Sequence, residues 1–154
     1  MDNIIIKEIK DVDWKLINTI RKLEKRNLGK QASINEWVIP VIIRYGRFIA
    51  AMEEKSSNIV GVCELIRSWE DKRTAFIHSF YVDRRYRKKG VGRRLLGEVI
   101  DILRVDGFKK VELTVDSKNK ASICLYKNFG FARINFRKDE YGRGIDRELM
   151  RLEL

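Results

Sequence analysis

The stretch that decides the fold lies in the middle of the chain and reads Phe80-Tyr81-Val82-Asp83-Arg84-Arg85-Tyr86-Arg87-Lys88-Lys89-Gly90-Val91-Gly92. It passes from an apolar strand end through a basic loop into a helix with the apolar spacing of Val91, Leu95 and Leu96. Glycines in such a loop let backbone N–H groups approach a ligand closely, and the helix start adds unpaired donors and the positive end of its dipole. The stretch therefore predicts a cradle of strand, loop and helix that suits a pyrophosphate.

Basic residues are concentrated around this cradle. The chain holds 33 Lys and Arg against 22 Asp and Glu, a net charge of +11, so a polyanionic partner is expected. Nucleic acid, an anionic membrane and a phosphorylated small molecule are all alternatives on charge alone. Because an electrostatic patch needs no glycine, Gly90 and Gly92 favour the small ligand over a nucleic-acid patch. The local cations are Arg84, Arg85, Arg87, Lys88, Lys89, Arg93 and Arg94.

Length and composition indicate one globular domain over residues 1–154. Hydrophobic residues make up 44% of the 154 positions and charged residues 36%, which excludes a disordered or collagen-like chain. Cys63, Cys124 and the single histidine His78 suggest neither a disulfide framework nor a metal site, so we expect a cytoplasmic protein without a bound metal. The sequence carries no signal-like start and no long apolar run, so no membrane partner is expected.

Hydrophobic periodicity predicts the element order β-α-α-β-β-β-α-β-α-β-β. Asp11 or Asp13 is expected to cap the first helix, and Pro40 makes the second helix short or kinked. The strand over residues 74–82 is apolar at both alternating positions, which predicts a central strand covered on both faces. The predicted strands are 3–9, 47–52, 59–67, 74–82, 109–115, 131–138 and 145–152, and the predicted helices are 11–27, 34–44, 91–106 and 119–128.

Two ordered motifs resemble those of the GNAT N-acetyltransferase superfamily. The stretch from Arg87 to Gly92 resembles its acetyl-CoA signature, Q/R-x-x-G-x-G/A, and the stretch from Asn119 to Phe131 resembles N-x-x-A-x-x-L-Y-x-x-x-G-F. Ser122 stands where the second pattern usually has alanine. The resemblance covers nearly all of the chain from Ile59 onward. It implies an α/β fold, a single GNAT domain whose mixed, mostly antiparallel sheet is flanked by helices.

The resemblance also implies acetyl-CoA as cosubstrate and a place for each part of it. The backbone at the end of the central strand pairs with the pantetheine arm, the loop amides hold the pyrophosphate, and the second motif contacts pantetheine and the thioester sulfur. The residues expected against acetyl-CoA are Phe80, Tyr81, Val82, Arg87, Lys88, Lys89, Gly90, Val91, Gly92, Arg93, Asn119, Ser122 and Tyr126.

Acyl transfer to an amine requires a neutral amine, a donor for the developing oxyanion and an acid for the departing thiolate. Tyr126 matches the family tyrosine that approaches the sulfur and is the expected acid, with helix packing as its alternative role. A backbone N–H near Phe80 or Tyr81 is the expected oxyanion donor. Both assignments rest on the resemblance and on the needs of the reaction.

The general base is the least determined part of the site. Relatives that acetylate protein N-termini often carry a carboxylate at the position of Thr114, and threonine cannot accept a proton there, which weakens that acceptor class. His78, Glu112 and Glu64 are the candidate bases, and a chain of ordered waters is a fourth route. His78 has a structural alternative, because a lone histidine among apolar residues is usually a hydrogen-bonded structural group.

The predicted reaction is acetyl-CoA-dependent acetylation of a primary amine on a small molecule or peptide. The rivals are a nucleic-acid-binding module, which is disfavoured, and an acyl-CoA-binding regulator without turnover; a homodimer is left open. Aromatic and acidic groups suit a cationic acceptor, although for Trp37 core packing is the favoured role. The candidate acceptor contacts are Asn35, Glu36, Trp37, Trp69 and Tyr141.

Overall fold

The computed structural model describes residues 3–29 and 36–154. The order of its elements confirms the predicted order and adds one turn of 3₁₀ helix after the central strand. The strands are β1 (Ile4–Ile9), β2 (Arg47–Glu53), β3 (Ile59–Arg67), β4 (Thr74–Val82), β5 (Lys110–Val115), β6 (Ala132–Arg137) and β7 (Arg147–Glu153). The helices are α1 (Trp14–Leu28), α2 (Val38–Tyr45), the 3₁₀ turn (Arg84–Tyr86), α3 (Val91–Val105) and α4 (Lys120–Asn128).

The strands form a seven-stranded sheet in the order β1-β2-β3-β4-β5-β7-β6. β4 and β5 run parallel, whereas β1 with β2, β2 with β3, β5 with β7 and β6 with β7 pair antiparallel. This mixed, mostly antiparallel sheet with its helices confirms the expected α/β fold class.

Internal contacts divide the chain into two compact units. The first comprises Met1–Ile66 and His78–Val99, and the second comprises Arg67–Ile77 and Ile100–Leu154. The boundary falls inside β4 and inside α3, so each of these two elements contributes to both units. The expectation of one domain over residues 1–154 stays a prediction.

In the first unit, α1 and α2 pack on the strands through a shared apolar core. Asp13 is the N-cap of α1, since its carboxylate accepts a hydrogen bond from Leu16 N at 2.6 Å. Pro40 is the third residue of α2, where a helix has no intrahelical partner for the N–H, and α2 therefore continues through it. The predicted range 34–44 lies partly outside the described residues. The core includes Ile20, Leu23, Ile39, Ile42, Phe48, Ala50, Val62 and Tyr81.

In the second unit, β5 alternates between buried and partly exposed residues. Val111, Leu113 and Val115 are buried, and the residues between them, Glu112 and Thr114, lie on the opposite face. β6 is an edge strand of the sheet and is mostly exposed, and it pairs antiparallel with β7 to form the closing hairpin. The alternation along β5 therefore places Glu112 and Thr114 on one face of the strand.

The prediction that β4 is covered on both faces is wrong. Ala75 and Ile77 are buried on one face, but the other face is open around His78, whose side chain is 31% exposed. An apolar sequence pattern records which residues tolerate burial and does not show where packing ends. The open position on β4 is therefore the one that its histidine occupies.

No helix among residues 3–29 and 36–154 has both the length and the apolar character needed to cross a bilayer. Over the same residues, no cluster of three or more His, Cys, Asp or Glu side chains is placed to hold a metal ion.

Candidate active site

The loop between the 3₁₀ turn and α3 has the backbone shape of an anion cradle. Lys88 and Gly90 adopt left-handed conformations, with φ of 59° and 81°. Left-handed residues in a short loop turn backbone N–H groups inward to form a concave anion site. A Cβ added at Gly90 would meet no atom within 4 Å, so the space beside this residue is open for a ligand. Arg94 N donates to Gly90 O at 3.0 Å, which begins α3 directly at the cradle.

The side chain of Arg87 secures this loop. Its Nε donates to Val82 O at 2.9 Å, and its Nη2 donates to Asn27 Oδ1 at 3.4 Å. Asn27 Oδ1 also accepts from Arg84 N at 3.1 Å. The guanidinium of Arg87 therefore joins the ends of β4 and α1. The Arg87 N–H also donates to Arg84 O at 3.4 Å, and the phosphate contact expected of Arg87 stays a prediction.

Asp83 fixes the start of the 3₁₀ turn from inside the protein. Its side chain is 1% exposed, forms an ion pair with Arg26 of α1 and accepts from Arg85 N at 3.1 Å. Burial raises the pKa of Asp83, but the hydrogen bonds from Arg85 and the charge of Arg26 outweigh it and lower the pKa below its usual value. An ionised carboxylate thus holds α1 and the turn together.

Tyr86 fixes the other end of the same turn. Its hydroxyl donates to Glu53, which also accepts from Ser56 Oγ at 2.5 Å and from Asn58 Nδ2 at 3.0 Å. Hydrogen bonds from Ser56, Tyr86 and Asn58 lower the pKa of Glu53 to about 2. Lys89 Nζ lies 5.6 Å from the centre of the Tyr86 ring, a cation–π contact.

The predicted cations therefore divide into two groups. Arg85 contacts Asp83, and Arg94 donates to Ile4 O, so these side chains serve the protein's own structure together with Arg87. Lys88 and Arg93 are exposed at the loop and at the start of α3. Arg85, Arg87 and Arg94 therefore make contacts within the protein, and Arg87 and Arg94 keep their positive charge there because their acceptors are neutral oxygens.

His78 and Glu64 form a hydrogen-bonded pair on neighbouring strands. His78 Nδ1 lies 2.9 Å from Glu64 Oε2, and the Glu64 side chain is fully buried whereas His78 is 31% exposed. Glu64 Oε1 and the Tyr81 hydroxyl are buried without a hydrogen-bond partner among the described residues. Two of the three candidate bases are thus joined, with the imidazole at the accessible end.

β4 carries a bulge between His78 and Tyr81. Two hydrogen bonds join the ends of β3 and β4: Asp83 N donates to Val60 O at 2.8 Å, and Ser68 N donates to Thr74 O at 3.0 Å. Between these bonds the chain takes nine residue steps along β4, from Thr74 to Asp83, but only eight along β3, from Val60 to Ser68. The burial pattern agrees with a bulge, because Tyr81 packs in the core on the face of the sheet where His78 contacts Glu64. Strict alternation along β4 would place Tyr81 and His78 on opposite faces. A bulge leaves one residue outside the strand ladder and is common beside active sites.

The remaining predicted cofactor residues lie in the second unit. Asn119 is the N-cap of α4, and its Oδ1 accepts from Ser122 N at 3.1 Å, so both have a structural role in the helix start. Tyr126 is 5% exposed, and its ring lies 5.7 Å from that of Phe131. These contacts agree with helix packing and leave the acid role of Tyr126 a prediction.

Glu112 is engaged in the sheet. Arg151 Nε and Nη2 donate to its Oε1 at 2.8 and 2.6 Å, across the register pair of β5 and β7. That oxygen is committed to a charge-assisted pair, so the geometry favours His78 over Glu112 as the base. Thr114 Oγ1 lies 2.9 Å from the hydroxyl of Tyr141, which connects β5 to the loop of the closing hairpin.

The candidate acceptor residues are mostly at the surface. Core packing of Trp37 is wrong, since this residue is 79% exposed at the N-cap of α2, where it lies outside the apolar stripe of the helix. Trp69 and Tyr141 are 95% and 55% exposed. Glu36 forms an ion pair with Arg21 at 3.3 Å. Asn35 lies outside the described residues.

The sequence analysis did not identify the residues whose side chains hold the 3₁₀ turn and the following loop in place. Asp83, Glu53 and Asn27 lie at the start of a turn, the end of a strand and the end of a helix, where polar residues are ordinary, so nothing local distinguishes them. A signal did exist for Glu24, which is fully buried and follows Leu23 on the apolar face of α1. A charged residue inside a helical apolar stripe is a sign of a buried polar group.

Comparison with known proteins identifies the family of this chain. The sequence model of the Acetyltransferase (GNAT) family matches residues 15–131, most of the chain. The chain belongs to this family. The L-amino acid N-acyltransferase MnaT of Escherichia coli is 34% identical over 91 residues, 57% of this chain and 53% of that protein. The N-alpha-acetyltransferase RimI of Mycobacterium tuberculosis is 38% identical over 76 residues, 49% of this chain and 46% of that protein.

A solved GNAT structure shows the same fold. The phosphinothricin acetyltransferase of Sinorhizobium meliloti in complex with AcCoA has a TM-score of 0.75 and 20% sequence identity, over 97% of this chain and 88% of that one. This GNAT chain spans about a fifth to a half of the length of the first curated relatives it matches, from 21% to 53%. The family resemblance expected from the two motifs is confirmed.

Proposed function

We propose that this GNAT protein is an acetyl-CoA-dependent N-acetyltransferase that acts on a primary amine of a small molecule or peptide. The observation that carries the proposal is the left-handed turn at Lys88 and Gly90, which opens onto free space at the start of α3. A turn of this shape with exposed cations suits a pyrophosphate. Family membership supports the same donor, since a related fold is known in complex with AcCoA.

The cradle residues would hold the donor. The backbone amides from Lys88 to Arg93 would bind the pyrophosphate, with the side chains of Lys88 and Arg93 adding charge. The backbone of Phe80 to Val82 would pair with the pantetheine arm. When bound there, acetyl-CoA supplies an activated acetyl thioester. The Asp83 and Glu53 contacts keep the turn in shape before the ligand arrives, which reduces the entropy lost on binding.

His78 would act as the general base. It is the accessible titratable side chain on β4, and an imidazole has an ordinary pKa of about 6.5, close to that needed for proton transfer near neutral pH. The ammonium form of the acceptor cannot attack a carbonyl carbon, so its proton must leave first. Nε2 of His78 faces away from Glu64 and can accept that proton directly or through a water.

Two further groups complete the chemistry. A backbone N–H at the β4 bulge, near Phe80 or Tyr81, would donate to the carbonyl oxygen as negative charge develops. Tyr126 would protonate the departing thiolate, in keeping with its place in the second motif. The hydroxyl of a tyrosine, with an ordinary pKa of about 10, is protonated at neutral pH and can give that proton.

Several classes of acceptor amine fit the proposed reaction. One relative is named for L-amino acids and another for N-alpha amines, so both small amino acids and peptide N-termini are candidates. Thr114 occupies the position where a carboxylate is expected for protein N-termini, and it contacts Tyr141 instead. This favours small amines over protein N-termini.

The test measures CoA thiol release from acetyl-CoA against a panel of amines, amino acids, polyamines, aminoglycosides and short peptides. Mass spectrometry must show one added acetyl group on the acceptor that turns over. Thiol release with a single acceptor class supports the proposal. Binding of acetyl-CoA without turnover of any acceptor points to an acyl-CoA-binding regulator, and tight binding of duplex DNA without acetyl-CoA binding points to a nucleic-acid module.

A further inference from the structure

The Glu64–His78 pair has one buried end and one accessible end. Glu64 is fully buried on β3, and its Oε2 lies 2.9 Å from His78 Nδ1. We propose that Glu64 is a positioning residue, which keeps the proton of His78 on Nδ1 and leaves Nε2 as the atom that accepts the proton of the substrate ammonium. This inference rests on the proposed function in so far as it needs His78 to be the base.

The chemistry of the two side chains sets the tautomer. An ionised carboxylate only accepts hydrogen bonds, and a neutral imidazole has one N–H donor and one acceptor nitrogen. A carboxylate oxygen within hydrogen-bond distance of Nδ1 therefore holds the proton there, and the lone pair lies on Nε2. In the step itself, an N–H bond of the ammonium breaks, its electron pair stays on the amine nitrogen, and a new N–H bond forms at Nε2.

The surroundings of the pair are acidic or neutral. Burial and the negative charges of Glu64 and of Glu24 on α1 raise the pKa of the Tyr81 hydroxyl, which therefore stays protonated. Burial and the charge of Glu64 also raise the pKa of the neighbouring Cys63 thiol, which stays neutral. Phe48 of β2 lies opposite Glu64 in the sheet register. None of these groups brings a competing positive charge to Glu64.

The β4 bulge is what brings the pair together with the expected donor region. Without the extra residue, Tyr81 would lie on the face of β4 opposite His78. With it, His78 reaches Glu64 and Tyr81 still enters the core beside the same carboxylate. The alignment of imidazole and carboxylate is therefore fixed by strand register rather than by a mobile loop.

The first test reads the tautomer without any need for activity. His78 is the single histidine of the chain, so a long-range ¹H–¹⁵N spectrum contains one imidazole. We expect the Nδ1–H tautomer in the neutral ring of the wild type and a mixture in Glu64→Gln, whose amide can either donate to Nδ1 or accept from it. A wild-type ring that carries its proton on Nε2 would overturn the proposal.

The second test reads the effect on turnover with an acceptor found in the panel. Glu64→Gln should lower kcat/KM by about 10- to 100-fold, because the imidazole no longer presents Nε2 to the acceptor in a single tautomer. The Glu64→Gln/His78→Gln double variant should lose no more than His78→Gln alone, since the two residues act as a unit. Glu98→Gln on the exposed face of α3 is the matched control for the lost charge.

The outcomes separate this inference from the proposed function. If no acceptor turns over with the wild type, the proposed function fails, and the spectrum still decides whether Glu64 sets the tautomer. If acetyl transfer occurs and Glu64→Gln keeps the wild-type kcat/KM, the positioning role is overturned. A melting curve of Glu64→Gln shows whether the variant is folded, and the substitution Glu64→Asp, which keeps the charge, should restore part of the activity.

Discussion

At the scale of single residues, Tyr126 has two alternative roles, which are helix packing and protonation of the departing thiolate. Its ring is buried against Phe131, and the hydroxyl matters for turnover only if it protonates the thiolate. We expect Tyr126→Phe to lower kcat by about 100-fold, the low end for a positioned acid, with the acetyl-CoA Kd nearly unchanged. Steady-state kinetics and calorimetry measure the two quantities. Tyr45→Phe, at a residue that is 87% exposed, is the control, and an unchanged kcat would assign Tyr126 to packing.

Glu53 makes a residue-scale prediction about pH. Its pKa is lowered from 4.5 to about 2 by the hydrogen bonds from Ser56, Tyr86 and Asn58. A carboxyl group whose folded pKa is depressed stabilises the fold above its unfolded pKa, and this contribution is lost as the pH falls through the folded pKa. The Tm advantage of the wild type over Glu53→Gln should therefore be largest above pH 4.5 and shrink between pH 4.5 and 2.

Melting curves of both proteins across this range measure the difference directly. Other carboxyl groups titrate in both proteins, so they cancel in the comparison. Glu98→Gln, at an exposed position on α3, should differ from the wild type by a nearly constant amount over the same range. A Tm difference between wild type and Glu53→Gln that stays constant from pH 6 to pH 2 would contradict the role given to Glu53.

At the scale of elements, the loop before α3 is tested by a matched pair of glycines. Gly90 and Gly107 have nearly the same φ, 81° and 80°, and a Cβ at either one would meet no atom within 4 Å. Valine at either position should cost similar stability, on the order of 1–2 kcal/mol, through its left-handed backbone. Only Gly90→Val should abolish acetyl-CoA binding, because its side chain would enter the space assigned to the pyrophosphate.

Thermal melts and calorimetry with acetyl-CoA separate the two effects. Equal loss of stability with unequal loss of binding supports the cradle. If both variants bind acetyl-CoA like the wild type, the pyrophosphate does not lie at Gly90. If both lose binding equally, the loss reflects a general disturbance of the fold rather than the cradle.

The elements themselves were largely predictable from local pattern. The apolar stripe of α3, the alternation of β5 and the positive φ of Gly130 at the end of α4 each follow from a short stretch of chain. The β4 bulge was not predictable, because a single extra residue shows only against the register of the neighbouring strand. Contacts such as Arg26 with Asp83, which are 57 positions apart, depend on packing that no local pattern records.

At the scale of the whole molecule, the net charge is +11. Some of the basic side chains make contacts within the protein, and others are exposed to solvent and to a ligand. Arg26 and Arg85 share the carboxylate of Asp83, which offsets one positive charge, whereas Arg87 and Arg94 donate to neutral oxygens and keep their charge. On the proposed function, the exposed cations at the cradle, with Lys88 and Arg93 among them, would carry the electrostatic part of donor binding. The affinity for a ligand with a pyrophosphate should therefore fall moderately as the salt concentration rises.

The last prediction concerns that salt effect. Raising the ionic strength from about 0.1 to about 1 M shortens the screening length from about 10 Å to about 3 Å, so the acetyl-CoA Kd should rise several-fold without binding being lost. At saturating acetyl-CoA, the ligand should raise the Tm at both salt concentrations. Duplex DNA is the comparison ligand, because contacts to many phosphates make its affinity fall by orders of magnitude over such a range. Tight, steeply salt-dependent DNA binding together with no Tm shift from acetyl-CoA would show that the basic loop serves nucleic acid instead.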